Sequence, residues 1–447
     1  MVRGIDRLRA AVVGEVVTEG DPGYGAAGRT LTAQGRPLVV VRCAEPSDVA
    51  AALGYAGAHE LPVAVRSGGH HLAGFGTNDG GVVIDVGPMN EVGMVSDDGV
   101  VRIGTGATWG QVATRLSDAG LAISSGDTAG VGVGGLMAGG GIGWMVRKHG
   151  IAIDHVVSAE VVTADGSVRR VDAVTEAELF WGLRGAAGSL GVVTSYDLTA
   201  VHQPTVHFGT LLFPWTQADQ VLAGWAEYQA VAPDELSSSV QLPPMMMADR
   251  QAPVAVMVCV AGQVAGRDAI LAPLRALGTV ITDTVVELPY ARVFSDESMP
   301  ADWTPRVRNG LFDHWSSELG ARLTEARPRT PAMAVEVRAL GGTFAAMPPE
   351  ATAFAHRDAR FLVNSVLIGS TELHGAQVAD FEGLWDGLRP ERAYANFLSH
   401  PTAADLDRCY PPSHQSRLAT LKQTVDPHNI FRTALTIPPA NRVPPAA

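Results

Sequence analysis

The sequence predicts an α+β protein: two α/β domains, followed by a C-terminal segment. Three observations carry this. The chain has 447 residues, 46% of them hydrophobic, enough for two or three domain-sized units with ample core. Short β-branched runs alternate with amphipathic stretches along most of its length. The composition shifts near His202 to Thr205, which places the units at 1–205, 206–390 and 391–447.

In chain order, Pro37 to Arg42 reads as a strand, and Pro46 opens a helix running to His59 with Asp48 near its positive end. Leu61 to Arg66, Gly81 to Val86 and Val100 to Ile103 read as further strands. Thr108 and Gln111 form a capping box for a helix to Ala119. Ala159 to Ala164, Ser167 to Val171 and Gly191 to Leu198 read as strands, with Thr175 and Glu178 capping a short helix to Leu183. The middle unit reads as strands at Phe208 to Phe213, Val254 to Val260, Val280 to Val286 and Met333 to Leu340, with helices at Thr216 to Val231, Arg267 to Leu277 and Ala376 to Leu388. Pro243 to Met247 and Met299 to Pro305 read as loops, and a helix is expected at Gln415 to Val425 before a frayed Pro-rich tail.

Composition excludes several function classes. A net charge of −13 and an isoelectric point near 5.4 argue against nucleic acid or an anionic membrane as partner. Lys148 and Lys422 are the only lysines, which disfavours Schiff-base chemistry. Cys43, Cys259 and Cys409 have neither disulfide nor metal spacing, and His400, His414 and His428 have no ligand spacing, so no metal is expected. No nucleophile elbow supports a Ser/His/Asp triad. Met1 to Val17 lacks the apolar core of a secretion signal and no run is long enough for a membrane span, so a cytoplasmic location is expected.

Glycine, 50 residues, is clustered. After the strand ending at Arg66 comes Ser67-Gly68-Gly69-His70-His71-Leu72-Ala73-Gly74-Phe75-Gly76. Such a loop turns backbone N–H groups inward as a nest that suits a diphosphate, with an imidazole beside it; a surface turn with two solvated histidines is the plainer alternative. A second stretch runs from Ser124 to Trp144. Its Gly130, Gly132 and Gly135, with Asp154 further on, match a dinucleotide fingerprint formally. Gly139, Gly140, Gly141 and Gly143 would weaken the helix that fingerprint needs by ~1 kcal/mol each, so a glycine-lined wall against a flat ligand is the better reading.

Taken together, Arg66 to His70, Gly126 to Trp144, Arg147-Lys148-His149-Gly150, Leu179 to Gly185, Leu340-Gly341-Gly342, Tyr394-Ala395-Asn396-Phe397 and Asp426-Pro427 to Phe431-Arg432 resemble the vanillyl-alcohol-oxidase/PCMH-type flavoproteins, in their berberine-bridge-enzyme-like branch. The resemblance implies a PCMH-type FAD-binding domain of two α/β subdomains, a substrate domain with an antiparallel sheet covered by helices, and a C-terminal segment, 391–447, that returns to the FAD domain. It implies FAD held by Arg66, Ser67, Gly68, Gly69, His70, His71, Gly74, Asp127, Thr128, Val131, Gly132, Gly134, Gly135, Gly139, Gly140, Gly143, Val193, Tyr394 and Asn396. It also implies an 8α-histidyl link from His70, preferred over His71. Thr128 stands where doubly linked members carry cysteine, so no cysteinyl link is expected. Thr433-Ala434-Leu435-Thr436 lacks the family's frequent asparagines, and His155 replaces a common asparagine.

Strand alternation puts Glu336 and Arg338 on one face. The resemblance places Glu336 at a glutamate position that serves some relatives as a base over the flavin, and so makes it the candidate base, with Arg338 to hold an anion or lower the glutamate pKa; the alternative is a half-exposed ion pair. Tyr394 resembles the family tyrosine that faces the flavin, the alternative being a buried, satisfied phenol. His356-Arg357-Asp358 reads as structural. The expected function is an FAD-dependent oxidase acting on a small or medium alcohol, amine or natural-product intermediate, with hydride passing to flavin N5 and molecular oxygen as acceptor. The rival functions are a non-redox cyclase or binding protein scaffolded by FAD, and a dehydrogenase with another acceptor.

Overall fold

The computed structural model describes residues 4–441 apart from 97–98, 246–251, 263–265, 297–299, 301–302, 371–374, 376 and 434. Among these residues the chain forms four sheets. The first joins β1 (Glu15–Thr18), β2 (Val39–Arg42), β3 (Val63–Arg66) and β4 (Val82–Asp85) in the order β1-β2-β4-β3. β4 runs parallel to both β2 and β3, and the helix Pro46–Ala58 makes the crossover between β2 and β3. Val39, Val41, Val82 and Ile84 are fully buried against Val49, Ala52 and Leu53 of that helix.

The second sheet is antiparallel, in the order β5-β6-β10-β8-β9. Its strands are β5 (Val92–Met94), β6 (Val100–Gly104), β8 (Val156–Val162), β9 (Val168–Asp172) and β10 (Val192–Thr199). The capping box forms: Gln111 N–H donates to the Thr108 hydroxyl at 3.4 Å and Thr108 N–H to the Gln111 side chain at 2.9 Å, opening the helix Trp109–Ser117. β7 (Leu121–Ala122) and β11 (Val201–His202) form a two-stranded sheet.

The largest sheet has eight strands, β12 (Thr205–Phe213), β13 (Leu236–Leu242), β14 (Val254–Ala261), β15 (Thr282–Asp283), β16 (Val286–Pro289), β17 (Arg306–Phe312), β18 (Met333–Ala339) and β19 (Phe361–Leu367). All its pairings are antiparallel. The helices Ala218–Gln229, Arg267–Arg275, Ser317–Ala326 and Gln377–Leu388 cover one face. Met333, Val335, Val337 and Ala339 point into that helix-covered core, so Glu336 and Arg338 point the other way.

The structure corrects four local expectations. Thr175 caps nothing: the helix is Ala177–Ala186 and begins after Glu176 in the left-handed region, because Asp172 accepts from the N–H groups of Val174 and Thr175 and ends the turn first. A short helix, Val133–Gly139, does form in the glycine-rich stretch and stops at Gly140, whose φ is +134°. The run Val280 to Val286 divides into β15 and β16, since Asp283 turns the chain by accepting from Val285 N–H. β13, β17, β19 and the helices Ser317–Ala326 and Ala403–Cys409 carry too many polar residues to read as periodic. Met246, Met247, Ala376, Ala434 and most of the tail lie outside the described residues.

The C-terminal segment docks back through buried polar groups. Lys422, on the helix Pro412–Val425, donates to the carbonyls of Ser189 at 2.9 Å and Phe431 at 2.6 Å and pairs with Asp426 at 3.0 Å. Asp426 in turn accepts from the N–H groups of Ile430 and Phe431. No helix among the described residues is long and apolar enough to cross a membrane.

Candidate functional site

A cavity of about 840 Å³ lies where the glycine-rich loops, the uncovered face of the eight-stranded sheet and the C-terminal segment meet. This is the upper part of the ~300–1,000 Å³ usual for small-molecule and cofactor sites. Arg66, Ser67, Gly68, Gly69, His70 and His71 line it, as do Asp127, Thr128, Val131, Gly132, Gly134, Gly135 and Gly139. Val193, Glu336, Arg338, Tyr394 and Asn396 complete the expected set.

The two glycine loops touch backbone to backbone. A Cβ on Gly68 would lie 2.5 Å from Gly132 N, so this wall exists only without side chains. Ser67 donates its hydroxyl to Thr105 O at 2.6 Å and pins the loop. Gly74, Gly140 and Gly143 are not among the lining residues. They serve the wall from behind: a Cβ on Gly74 would crowd Ala33, one on Gly140 Phe354, and one on Gly143 the Ser125 carbonyl. Arg66 reaches the cavity, but its guanidinium is taken by Asp85 at 2.7 Å and the Ala27 carbonyl at 2.6 Å, so its task is to anchor the loop.

The two histidines differ. His70 has no hydrogen-bond partner among the described residues and packs on Gly130, where a Cβ would sit 2.9 Å from its Nε2. Partial burial lowers its pKa and keeps the imidazole neutral. His71 stacks on Phe75 at 4.5 Å and accepts from Ala73 N–H at its Nδ1, 3.2 Å away. Burial pushes it down to about 4, against an opposing hydrogen bond to the Ala395 backbone.

On the opposite wall, Arg338 is 3% exposed and holds two carboxylates. Its Nη2 donates to Glu336 Oε1 at 2.8 Å and also to Asp127, whose segment belongs to the glycine-rich wall. Burial alone would lower the Arg338 pKa; the charges of Glu336 and Asp127 outweigh it and raise it. Glu336 Oε2 has no partner among the described residues, and the Trp144 ring lies 4.9 Å from the guanidinium carbon. The 127–129 segment is fixed to the middle unit by Ser295, which accepts from Ala129 N–H at 2.9 Å and donates its own N–H to Asp127 O at 2.8 Å.

Tyr394 closes the third side. Its hydroxyl accepts from Gly141 N–H at 2.9 Å and from the Asn396 amide at 3.0 Å, which also donates to Leu136 O. Burial raises the phenol pKa, against the opposing hydrogen bonds with the Gly141 and Ile142 backbone and with Asn396. Asn309 holds this loop, accepting from Tyr394 N–H at 2.7 Å and donating to the carbonyls of Tyr394 and Phe397.

Sequence reasoning missed Phe208, Gln241, Met257, Asn364 and Val366 on the sheet, and Ala186 to Ser189 and Phe431 to Thr433 beside the glycine wall. No periodic signal in the sequence marks Gln241 or Asn364, since the polar residues of Leu236–Leu242 and Phe361–Leu367 break the apolar period. Asp154 takes no part: it forms a buried bidentate pair with Arg357 at 2.6 and 2.8 Å. Among the described residues no cluster of His, Cys, Asp or Glu could hold a metal.

The side-chain-free backbone of the glycine wall, the neutral imidazole on it and the mixed polar and apolar lining fit FAD. Residues 37–172 match the FAD binding domain family. The chain is 30% identical to (R)-6-hydroxynicotine oxidase of Paenarthrobacter nicotinovorans, over 96% of this chain and 97% of that protein. It is 27% identical to a chitooligosaccharide oxidase of Gibberella zeae, over 88% of this chain and 85% of that one. The crystal structure of 6-hydroxy-D-nicotine oxidase from Arthrobacter nicotinovorans superposes with a TM-score of 0.83 at 27% identity, covering 95% of this chain and 98% of that one. The architecture is thus the PCMH-type fold, and the protein is an FAD-dependent oxidoreductase. The chain belongs to the berberine-bridge-enzyme-like FAD flavoproteins, the family of 6-hydroxynicotine oxidase.

Proposed function

We propose that the protein is an oxidase whose FAD is linked through His70, and that Glu336 takes the proton from the oxidised group of a small or medium alcohol, amine or natural-product intermediate. Residues 1–205 and 391–447 hold the cofactor in this reading, and 206–390 the substrate. Bound FAD supplies a hydride acceptor at N5 and returns both electrons to molecular oxygen as hydrogen peroxide.

The observation that carries this is the free Oε2 of Glu336, on a carboxylate held by Arg338 in a cavity with Trp144, Phe208, Met257 and Val366 as apolar surroundings. Arg338 fixes the rotamer through Oε1 and leaves Oε2 to accept a substrate proton. Asp127 shares the guanidinium, so the cluster has a net charge of −1 from two carboxylates and one cation. A cationic amine or a neutral hydroxyl is the fitting occupant. The names of the oxidase relatives, one acting on an alkaloid and one on an oligosaccharide, support this range.

His70 is the one of the two loop imidazoles with both ring nitrogens uncommitted. His70 would hold FAD by a bond from its ring nitrogen to the 8α-methyl carbon in place of one hydrogen, a two-electron oxidation for which molecular oxygen would be the acceptor. Thr128 offers no thiol for a second link.

The test is anaerobic mixing of the flavin-loaded protein with a panel of alcohols and amines, following loss of flavin absorbance and, in air, peroxide release. A substrate that bleaches the flavin should do so roughly 10²–10⁴-fold more slowly in Glu336→Gln. An unchanged rate in that variant removes Glu336 from the reaction, and a flavin that no panel member reduces contradicts the oxidase reading.

A further inference from the structure

The eight-stranded sheet sets a row of polar side chains across three adjacent strands. Gln241 of β13 is paired in register with Glu336 of β18, and Glu336 with Asn364 of β19. All three line the cavity. The next member of the row is Asn309 of β17, in register with Asn364.

The two asparagines have the same side chain and opposite circumstances. Asn309 is fully buried, and its carboxamide makes three hydrogen bonds to the 394–397 loop. Asn364 makes none with the described residues, and its Oδ1 is shut off from solvent without a donor. Gln241 also has no partner among the described residues. A buried carbonyl oxygen left without a donor is destabilising, and native proteins keep few such groups. Arg338 adds a buried, unpartnered Nη1 next to the row. The unpaired carboxamides of Gln241 and Asn364 thus flank the Glu336 carboxylate on either side, spaced by the ~4.8 Å between strands.

We infer that Gln241 and Asn364 are specificity-determining residues, which bind hydroxyl, carbonyl or amide groups flanking the carbon that is oxidised. The substrate class is a compact ring carrying polar groups on both sides of the reacting position, with its apolar face on Trp144 and Phe208. This rests on the reading of Glu336 as base, but its test is a binding measurement independent of turnover. Asn309, in contrast, is structural.

The experiment titrates the flavin-loaded protein with D-glucose, 2-hydroxypyridine and benzyl alcohol, read as perturbation of the flavin spectrum, and pairs this with thermal melts free of any ligand. At least one of the two polyfunctional rings should bind about tenfold more tightly than benzyl alcohol. Asn364→Leu and Gln241→Leu should each abolish that preference and leave benzyl alcohol binding unchanged. Without ligand, Asn364→Leu should melt at or above the wild-type temperature, since it removes an unsatisfied group and keeps the branching of the side chain beside an open cavity, while Asn309→Leu should melt several degrees lower. A preference that survives Asn364→Leu, no binding of either polyfunctional ring, or an Asn364→Leu melting loss like that of Asn309→Leu overturns the inference. Failure of the oxidase reading would show instead as normal binding with no flavin reduction.

Discussion

Arg338 and Asp127 form an ion pair between the large sheet and the glycine-rich wall, and the same guanidinium holds Glu336. One cation therefore fixes the candidate base and closes the cavity between two parts of the chain.

Removing that cation leaves Asp127 and Glu336 as neighbouring carboxylates with nothing between them. Arg338→Met should lower unfolding stability by roughly 1–3 kcal/mol, less than the ~3–5 of a wholly buried broken pair because both acids keep some solvent. It should also slow flavin reduction by substrate. Urea unfolding and anaerobic mixing check this, and unchanged stability would show the pair to be ornamental.

Gly130→Ala should act on His70 alone. The new Cβ would stand 2.9 Å from His70 Nε2, so the imidazole must move. The expected outcome is a folded protein with a reduced fraction of covalently held flavin, measured by mass spectrometry of the intact chain. Full covalent occupancy would show that the ring has room.

Asp154 and Arg357 should matter for folding and not for flavin. Their pair is buried, with the guanidinium over Phe344 and Phe354 at 5.5 and 5.1 Å. Arg357→Met should destabilise by about 3–5 kcal/mol by leaving a buried unpaired carboxylate. Flavin content of the surviving folded protein should stay at the wild-type level, and a selective loss of flavin would assign Asp154 a cofactor role after all.

Acid should unfold this protein earlier than its carboxylates alone require. Burial pushes His71, His149 and His356 each down to about 4 from an ordinary value of 6.5. Between those values the unfolded chain binds the protons that the folded chain refuses, so stability is complete above pH 6.5 and falls as pH drops toward 4. The melting temperature should fall across that window, and His71→Gln should reduce the slope. A flat profile between pH 6.5 and 4 would contradict the burial of these rings.

The parts of this site that the sequence made legible are those with a steric or periodic signature. Gly68 and Gly132 stand where two backbones touch, and no other residue fits there. Glu336 and Arg338 share a face because a strand alternates. Gln241 and Asn364 obey the same alternation but were hidden. In Leu236–Leu242 the buried Ser237, Ser238 and Ser239 interrupt the apolar pattern, although Ser238 takes the Trp225 indole N–H at 2.9 Å. In Arg306–Phe312 the two arginines do the same, although Glu382 pairs with both at 2.8 and 3.1 Å. Polar residues satisfied by distant partners erase the hydrophobic period, and only tertiary structure restores it. Gly74, Gly140 and Gly143 were legible as glycines, yet their place behind the wall depends on Ala33, Phe354 and Ser125.

The most direct test of the central claim is acid denaturation of the purified yellow protein, wild type beside His70→Ala, followed by separation of polypeptide from free flavin. The account predicts flavin retained on the wild-type chain and released from the variant, with His71→Ala retaining it. Flavin released from the wild type, or retained by His70→Ala, would contradict the histidyl link.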